Sequence, residues 1–220
     1  MPPGPLYPFD HRRAIRVLSR ADERLARLIA RAGPFRMKLQ PSRSPYESLL
    51  EAILHQQITG KAAATILARV KESFGMGDFP EPQEILRATR PALRAAGLSR
   101  QKAAALRDLA AKSLDGTVPG GAAIAKMKDE EIVAGLTTVR GVGVWTVEMF
   151  LMFSLGRPDV LPVEDYGIRK GFALTYRCRD LPKPKRIAAY GERWRPYRSV
   201  ASWYLWRAVE LHRKKKATGP

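Results

Sequence analysis

The spacing of apolar residues along the chain predicts an all-helical protein. Apolar positions recur at intervals of three and four residues, and the patterned stretches end at Gly or Pro. Only residues 36–40 look extended, and no strand pair is predicted. One or two helices are predicted over 15–29. Further predicted helices cover 44–54, 59–75, 91–96, 99–115 and 129–136, and three more begin near residues 144, 165 and 196.

Residues typical of helix N-caps predict where several of these helices begin. Ser44 precedes Pro45, which is a favourable residue for the first helical position. Thr59, Ser99 and Asp165 stand at the same place before other apolar patterns. The hydroxyl or carboxylate of such a residue accepts a hydrogen bond from the first helical turn. We therefore expect four helices to begin directly after these residues.

The order of these elements divides the chain into segments. We expect residues 1–40 to form a helical segment that packs with the C-terminal helices. Residues 41–155 form a central helical subdomain, with a helix-hairpin-helix at 128–155. Residues 156–216 hold a Gly/Pro loop, an aspartate and the C-terminal helices, and 217–220 are a tail. The basic run Arg213–Lys216 favours a disordered tail over a site.

The charge of the chain indicates an acidic partner. Lys and Arg number 39 against 21 Asp and Glu, so the formal net charge is +18. Residues 1–36 have a balance of +5, residues 37–166 of +1, and residues 167–216 of +12. A nearly neutral middle between basic ends favours ends that come together as a footprint for a polyanion. A solvated basic surface without a partner is the alternative.

The composition excludes several other classes of protein. The 220 residues are 45% hydrophobic, which suits an ordinary folded core. The longest near-continuous apolar stretch, 149–155, is far shorter than the ~20 residues of a membrane span. The first five residues lack the features of a signal peptide. Cys178 is the only cysteine, so an internal disulfide and a four-cysteine metal site are excluded. We expect a cytoplasmic (bacterial nucleoid) or nuclear protein that is not secreted and binds no membrane.

The segment Leu136–Thr146 predicts a tight hairpin between two helices. Gly141 and Gly143 flank Val142, and we expect positive φ at these glycines, with Val142 pointing inward. The main-chain N–H groups of residues 143–145 then point out of a helix N-terminus, where they suit a phosphate. Taken alone, such a glycine-bounded connection is more often purely structural.

A second segment, 156–165, is a Gly/Pro loop that ends at Asp165. This aspartate has the properties of an ordinary N-cap for the next helix. A cap position also suits a catalytic carboxylate, because the helix N-terminus favours negative charge. The two roles are compatible, and the residues alone leave both open.

Together, the hairpin, the loop and Asp165 resemble the helix-hairpin-helix base-excision DNA glycosylases, and within them the alkylpurine (3-methyladenine) branch. Trp145 stands where the bifunctional glycosylase/lyases carry a Schiff-base lysine, and the cysteine quartet of the iron–sulfur branches is missing. Residues 52–58 and 194–201 resemble two further blocks of the branch. The similarity spans residues 35–210, and it implies two helical subdomains flanking a DNA- and base-binding cleft.

The resemblance also implies roles for individual residues. Asp165 is the expected catalytic carboxylate, with the adjacent Glu164 as a weaker alternative. The residues expected to form the pocket for a flipped base are Trp145, Tyr166, Trp206 and Met149. Gln57, beside Gln56, is expected to fill the space that the flipped base leaves. The hairpin residues expected at DNA are Arg140, Gly141, Gly143, Val144 and Thr146.

Hairpins of this family often hold a monovalent cation through main-chain carbonyls. Here those carbonyls belong to Thr137, Val139 and Val142, so the resemblance implies a structural Na⁺ or K⁺ at this place. No cofactor is expected to be required, and no iron–sulfur cluster is expected.

The function implied is that of a monofunctional, monomeric DNA glycosylase without lyase activity. It would flip an alkylated base, of the 3-methyladenine or 7-methylguanine type, out of duplex DNA and hydrolyse its N-glycosidic bond. One alternative is a damage-sensing DNA-binding protein without chemistry. Another is a glycosylase for uracil, mismatched thymine or oxidised purine.

Overall fold

The chain folds as an all-α protein, in agreement with the apolar spacing. The computed structural model describes residues 7–40 and 43–217, and within these ranges it contains thirteen α-helices, one 3₁₀ turn and no β-strand. Residues 1–5, on which the expectation of no signal peptide rests, and residues 218–220 of the expected tail lie outside these ranges. No helix of the described ranges is both long and apolar enough to cross a bilayer.

The described residues form two compact units. One, here called the hairpin unit, is residues 43–150, and the other, here called the aspartate unit, combines residues 7–40 with 151–217. The hairpin unit contains α3 (Pro45–His55), α4 (Gly60–Phe74), α5 (Pro82–Arg87), α6 (Arg90–Ala95), α7 (Arg100–Leu114), α8 (Gly121–Ile124) and α9 (Asp129–Leu136). The boundary falls within α10 (Val144–Phe153).

The aspartate unit is built from both ends of the chain. It contains α1 (His11–Ala21), α2 (Glu23–Ala32), α11 (Tyr166–Tyr176), α12 (Pro184–Gly191), a 3₁₀ turn (Glu192–Trp194) and α13 (Arg198–Ala217). Helices α11 and α2 both pack on α13, and α1 packs on α2. The two basic ends of the sequence therefore belong to one unit.

The N-caps predicted from the sequence form as expected. The side chains of Ser44, Thr59, Ser99 and Asp165 each accept a main-chain hydrogen bond from the first turn of α3, α4, α7 and α11, respectively. Around Ser44 the cap is reciprocal, because Glu47 at the third helical position accepts the N–H of Ser44 at 2.7 Å. Local chemistry thus determines these four helix starts.

Other parts of the prediction were incomplete or wrong. Helices α5, α8 and α12 were not predicted, because four to eight residues are too few to establish a helical period. The expectation of a disordered tail at Arg213–Lys216 is wrong, since α13 continues to Ala217. About four turns of α13, with buried apolar residues such as Val200 and Leu205, precede this run and carry the helix through it.

Asp22 organises the core of the aspartate unit. It is 5% exposed, caps α2 through the N–H of Leu25, and accepts the Tyr176 hydroxyl at 2.6 Å and the Trp194 indole N–H at 3.0 Å. Burial alone would raise the pKa of Asp22, but these hydrogen bonds outweigh burial and hold it below its ordinary value. One buried carboxylate therefore joins α2, α11 and the 3₁₀ turn.

Helix α7 is the central element of the hairpin unit. Helices α3, α5 and α6 pack against it, through residues such as Leu106 and Leu109, which are fully buried. Arg107 on α7 donates to the carbonyls of Leu86 and Ala88 at 3.0 Å and so satisfies the end of α5. Helix α7 is therefore a common support for α3, α5 and α6.

Candidate functional site

The carboxylate of Asp165 is held by two donors on one oxygen. Asp165 Oδ1 accepts the main-chain N–H of Ile168 at 2.8 Å and the indole N–H of Trp206 at 2.8 Å. The first bond makes Asp165 the N-cap of α11, and the second fixes the carboxylate from α13. Because the N-terminus of a helix favours negative charge, the cap supports a fixed anion at this place.

Trp206 has a more specific role than the sequence indicates. We expected it as a flat wall for a base, whereas in the structure its N–H contacts the predicted catalytic residue. Its ring lies 5.9 Å from that of Phe153 with an interplanar angle of 26°. This stacking holds the indole in the orientation that its hydrogen bond to Asp165 requires.

Two glycines of α11 allow this arrangement, and the sequence analysis missed both. A Cβ at Gly167 would lie 2.7 Å from Trp206 Cδ1 and 3.0 Å from Asp165 Oδ1. A Cβ at Gly171 would lie 2.0 Å from the carbonyl oxygen of Leu205, so α11 and α13 approach each other backbone to backbone. The spacing of four residues puts both glycines on one face of α11, which is a signal that could have been found.

The hairpin between α9 and α10 has the expected shape, with one correction. Gly141 has φ +79°, the carbonyl of Val139 accepts the N–H of Val142 at 3.0 Å, and Val142 is buried. Gly143 was expected at positive φ as well, and this is wrong. Its carbonyl accepts the N–H of Val147 at 3.2 Å, so Gly143 is the residue directly before α10 and caps its first turn rather than completing the hairpin turn.

Asp108 on α7 braces the hairpin from behind. Its Oδ2 accepts the main-chain N–H of Arg140 at 2.7 Å and the ammonium of Lys112 at 2.9 Å, and Lys112 also donates to the carbonyl of Thr138. Burial acts to raise the pKa of Asp108, but these bonds and nearby charges hold it below its ordinary value. The hairpin is therefore set by α7 before any ligand arrives.

The predicted cation site shares this part of the hairpin. The carbonyl of Val139 already accepts the N–H of Val142, and the carbonyl of Thr138 accepts the ammonium of Lys112. The Na⁺ or K⁺ expected at the carbonyls of Thr137, Val139 and Val142 stays a prediction. Within the described ranges, no group of three or more His, Cys, Asp or Glu is placed to hold a metal.

Gln56 and Gln57 have different environments at the end of α3. Gln56 Nε2 donates to the carbonyl of Gly141 at 2.8 Å, so it ties the α3–α4 loop to the hairpin. Gln57 is exposed and has φ +59°, a conformation that is costly for a residue with a Cβ. A strained backbone that carries an exposed side chain at a loop tip is typical of a position kept for function.

Gln57 borders a hollow of about 420 Å³ in the hairpin unit. The end of α3, the start of α7 and the hairpin form its walls. Its polar lining consists of Gln56, Gln57, Ser99, Gln101, Lys102 and Arg140. Because this lining is polar and contains two cationic side chains, the hollow suits a negatively charged, hydrogen-bonding partner.

The remaining predicted residues differ in exposure. Trp145 is 47% exposed and Tyr166 64%, which is unusual for large aromatic side chains, and Met149 is partly buried. At the start of α10, Val144 is exposed, whereas Thr146 is buried and its side chain does not face solvent. Thr146 as a whole is only 7% exposed, so the structure does not present it at the surface as it does Val144.

Comparisons with known proteins identify a family and relatives that this chain resembles. Residues 50–196 match the HhH-GPD superfamily of base excision DNA repair proteins. The chain is 35% identical over 204 residues to DNA-3-methyladenine glycosylase 1 of Schizosaccharomyces pombe, covering 92% of this chain and 90% of the relative.

Two solved structures are similar over most of the chain. A 3-methyladenine DNA glycosylase of Schizosaccharomyces pombe in complex with abasic DNA superposes with a TM-score of 0.79 at 35% identity, covering 90% of this chain and 97% of that one. A DNA-3-methyladenine glycosidase of Bacillus halodurans has a TM-score of 0.84 at 33% identity, covering 92% and 91%. With the capped aspartate and the hairpin described above, these matches establish that the chain belongs to the HhH-GPD superfamily of base excision DNA repair proteins.

Proposed function

We propose that this protein is a monofunctional DNA glycosylase that removes alkylated purines of the 3-methyladenine and 7-methylguanine type from duplex DNA. The observation that carries the proposal is the Asp165 carboxylate, held by the Ile168 N–H and the Trp206 indole in a member of a base excision repair family. The relatives named as 3-methyladenine glycosylases and the relative solved with abasic DNA support this substrate class.

The reaction replaces the bond between the sugar C1′ and the purine nitrogen with a bond from C1′ to water. The electrons of the broken bond go to the purine, which is already cationic when alkylated and leaves as a neutral base. A water proton is released to solvent. Positive charge grows on the sugar in the transition state, and the fixed Asp165 carboxylate stabilises it or orients the attacking water.

Recognition of the base depends on its cationic ring. The exposed Trp145 and Tyr166 are each proposed to contact the flipped base, because aromatic faces attract cations by about 0.5–2 kcal/mol per contact. Met149 is proposed to add an apolar contact. A neutral base gains less from such faces, so the proposal favours alkylated purines over undamaged ones.

Gln57 is proposed to enter the duplex when the base leaves it. Its exposed amide can occupy the vacated space and hydrogen-bond to the orphaned partner base. Main-chain N–H groups at the start of α10 are proposed to bind a backbone phosphate, without reading sequence. The protein acts as a monomer in this scheme, and a bound Na⁺ or K⁺ at the hairpin would have only a structural role.

Strand cleavage is not part of the proposed activity. A lyase needs an amine to form a Schiff base with the sugar, and residues 129–168 contain no lysine. We therefore expect abasic DNA as the product. If borohydride trapped a covalent complex between the protein and DNA in the amount expected for a catalytic intermediate, the expectation of no lyase activity would be contradicted.

The decisive test is base release from three duplexes that contain alkylated purines, uracil or oxidised purine. We expect wild-type protein to release 3-methyladenine. The Asp165→Asn variant is expected to release it at least about 100-fold more slowly, which is the usual effect of removing one electrostatic stabiliser of a transition state. Glu164→Gln is the matched control and is expected to retain activity. Lesion binding without release of any base by wild-type protein would instead establish a non-catalytic damage sensor.

A further inference from the structure

A groove lined by arginines lies beside the hairpin in the hairpin unit. Its volume is about 940 Å³, and helix α6, the first half of α7 and the hairpin residue Arg140 border it. The charged side chains of its lining are Arg90, Arg94, Arg100, Arg107, Asp108 and Arg140. Five guanidinium groups and one carboxylate thus face a single concave surface.

Within the described residues, most of the positive charge of this groove is not balanced by carboxylates. Arg90, Arg94 and Arg100 are exposed, and none of them forms an ion pair with a carboxylate in the described part of the chain. Asp108, the one carboxylate among the described lining residues, already accepts the Arg140 N–H and the Lys112 ammonium. Arginines without partners on one surface are arranged for an external anion.

The charge balance along the sequence hides this groove. Residues 37–166 have a balance of only +1, and the hairpin pattern in this segment predicts phosphate binding by main-chain N–H groups alone. That expectation is incomplete, because folding brings arginines from α6, α7 and the hairpin together. The acidic residues of the segment lie elsewhere, with Asp108 the exception.

The groove is continuous with the hollow beside Gln57. Gln101 and Arg140 line both concavities, so the two form one surface in the same unit. The hollow is lined by Gln57, which is proposed to enter the duplex at the damaged site, and by Gly141 of the hairpin, which is expected at DNA. A DNA backbone that passes the hairpin would therefore continue into the arginine groove.

We propose that this groove binds the phosphate backbone of the duplex that flanks the damaged nucleotide. Guanidinium groups bind phosphates through paired hydrogen bonds and read no base sequence, so the contact would anchor the protein on any DNA. The inference rests on the proposed function, since it assumes that DNA lies at the hairpin. It adds a second anchoring surface, away from the base pocket.

Binding of full-length protein to undamaged duplex, measured by fluorescence anisotropy across a salt series, tests this. The logarithm of the binding constant falls linearly with the logarithm of the salt concentration, and each phosphate contact adds about 0.9 to the magnitude of this slope. The double variant Arg90→Gln/Arg94→Gln is expected to reduce the magnitude of this slope by about 1 to 2, and the single variant Arg100→Gln to reduce it by about 1. Arg90→Lys/Arg94→Lys keeps the charges and is expected to keep most of the slope. Thermal unfolding of each variant checks that it is folded.

Arg87→Gln/Lys126→Gln is the matched control, because it removes two charges from exposed positions of the same unit outside the groove. We expect its slope to equal that of wild type. If the groove variants and the control variant gave equal slopes, the inference would be overturned. The same result is expected if the groove binds an acidic protein instead of DNA. Failure of the proposed function would be seen separately, as absence of base release by wild-type protein.

Discussion

The indole N–H of Trp206 donates a 2.8 Å hydrogen bond to Asp165 Oδ1, the same oxygen that accepts the main-chain N–H of Ile168. The carboxylate is therefore fixed from two helices at once. A tryptophan expected only to stack on a base is thus also a positioning residue for the proposed reaction.

Trp206→Phe removes this hydrogen bond while it keeps an aromatic ring against Phe153. We expect the single-turnover rate of base release at saturating protein to fall about 10-fold, since a hydrogen bond to a charged group contributes about 1.5–3 kcal/mol and only part of it acts in the transition state. Trp203→Phe on the same helix is the control. An unchanged rate for Trp206→Phe would show that the bond has no catalytic role.

Gly167→Ala places a methyl group where Trp206 and Asp165 meet. Because the added Cβ would lie 2.7 Å from Trp206 Cδ1, we expect the indole to shift and base release to fall at least 10-fold, in a protein that still folds. Gly135→Ala is the control, since its Cβ has no atom closer than 3.9 Å. Helix propensity is expected to make that variant slightly more stable.

Gly171→Ala tests the same helix pair at a position without a catalytic neighbour. Its Cβ would meet the Leu205 main chain at 2.0 Å, and a main chain cannot yield as a side chain can. We expect the free energy of unfolding in urea to fall by about 2–4 kcal/mol, as for an overpacked core. If Gly171→Ala had the same free energy of unfolding as wild type, α11 and α13 could move apart without loss of stability, which would contradict this expectation.

Asp22→Asn tests the buried carboxylate of the aspartate unit. Its folded pKa lies below the ordinary value of 3.8, so the ionised form contributes stability that is complete above about pH 5 and is lost as the pH falls through the lower, folded value. At pH 7 we expect a loss of about 2–4 kcal/mol in the free energy of unfolding, because three hydrogen bonds to a charge weaken.

The pH dependence separates this effect from a simple packing defect. Between about pH 5 and pH 2 the stability of wild type is expected to approach that of Asp22→Asn, since protonation removes the same charge. Asp10→Asn is the control, an exposed N-cap with one main-chain bond at 2.9 Å. Parallel pH curves for wild type and Asp22→Asn would contradict the assignment.

Gln57 allows backbone strain and function to be separated. Gln57→Ala and Gln57→Gly both remove the amide, so both are expected to lower base release from duplex by a similar factor. Only glycine relieves the φ of +59°, and we expect Gln57→Gly to be more stable than Gln57→Ala by up to about 1 kcal/mol. Equal activity of wild type and both variants would exclude the proposed insertion.

Local chemistry was enough to predict much of this protein. Ser44, Thr59, Ser99 and Asp165 begin their helices as expected, because an N-cap acts on N–H groups within three residues of itself. The turn at Gly141 and the inward Val142 follow from the same short range. The pattern of the hairpin, the loop and Asp165 also sufficed to identify the family.

Contacts between residues distant in sequence were decided only by the tertiary structure. The carboxylate of Asp22 meets Tyr176 and Trp194, and Trp206 reaches Asp165, through packing that no local pattern encodes. Gly171 acquires its role only because α13 passes within contact distance of α11. The arginine groove arises in the same way, since net charge depends on composition, whereas a local electric field depends on which charges folding brings together.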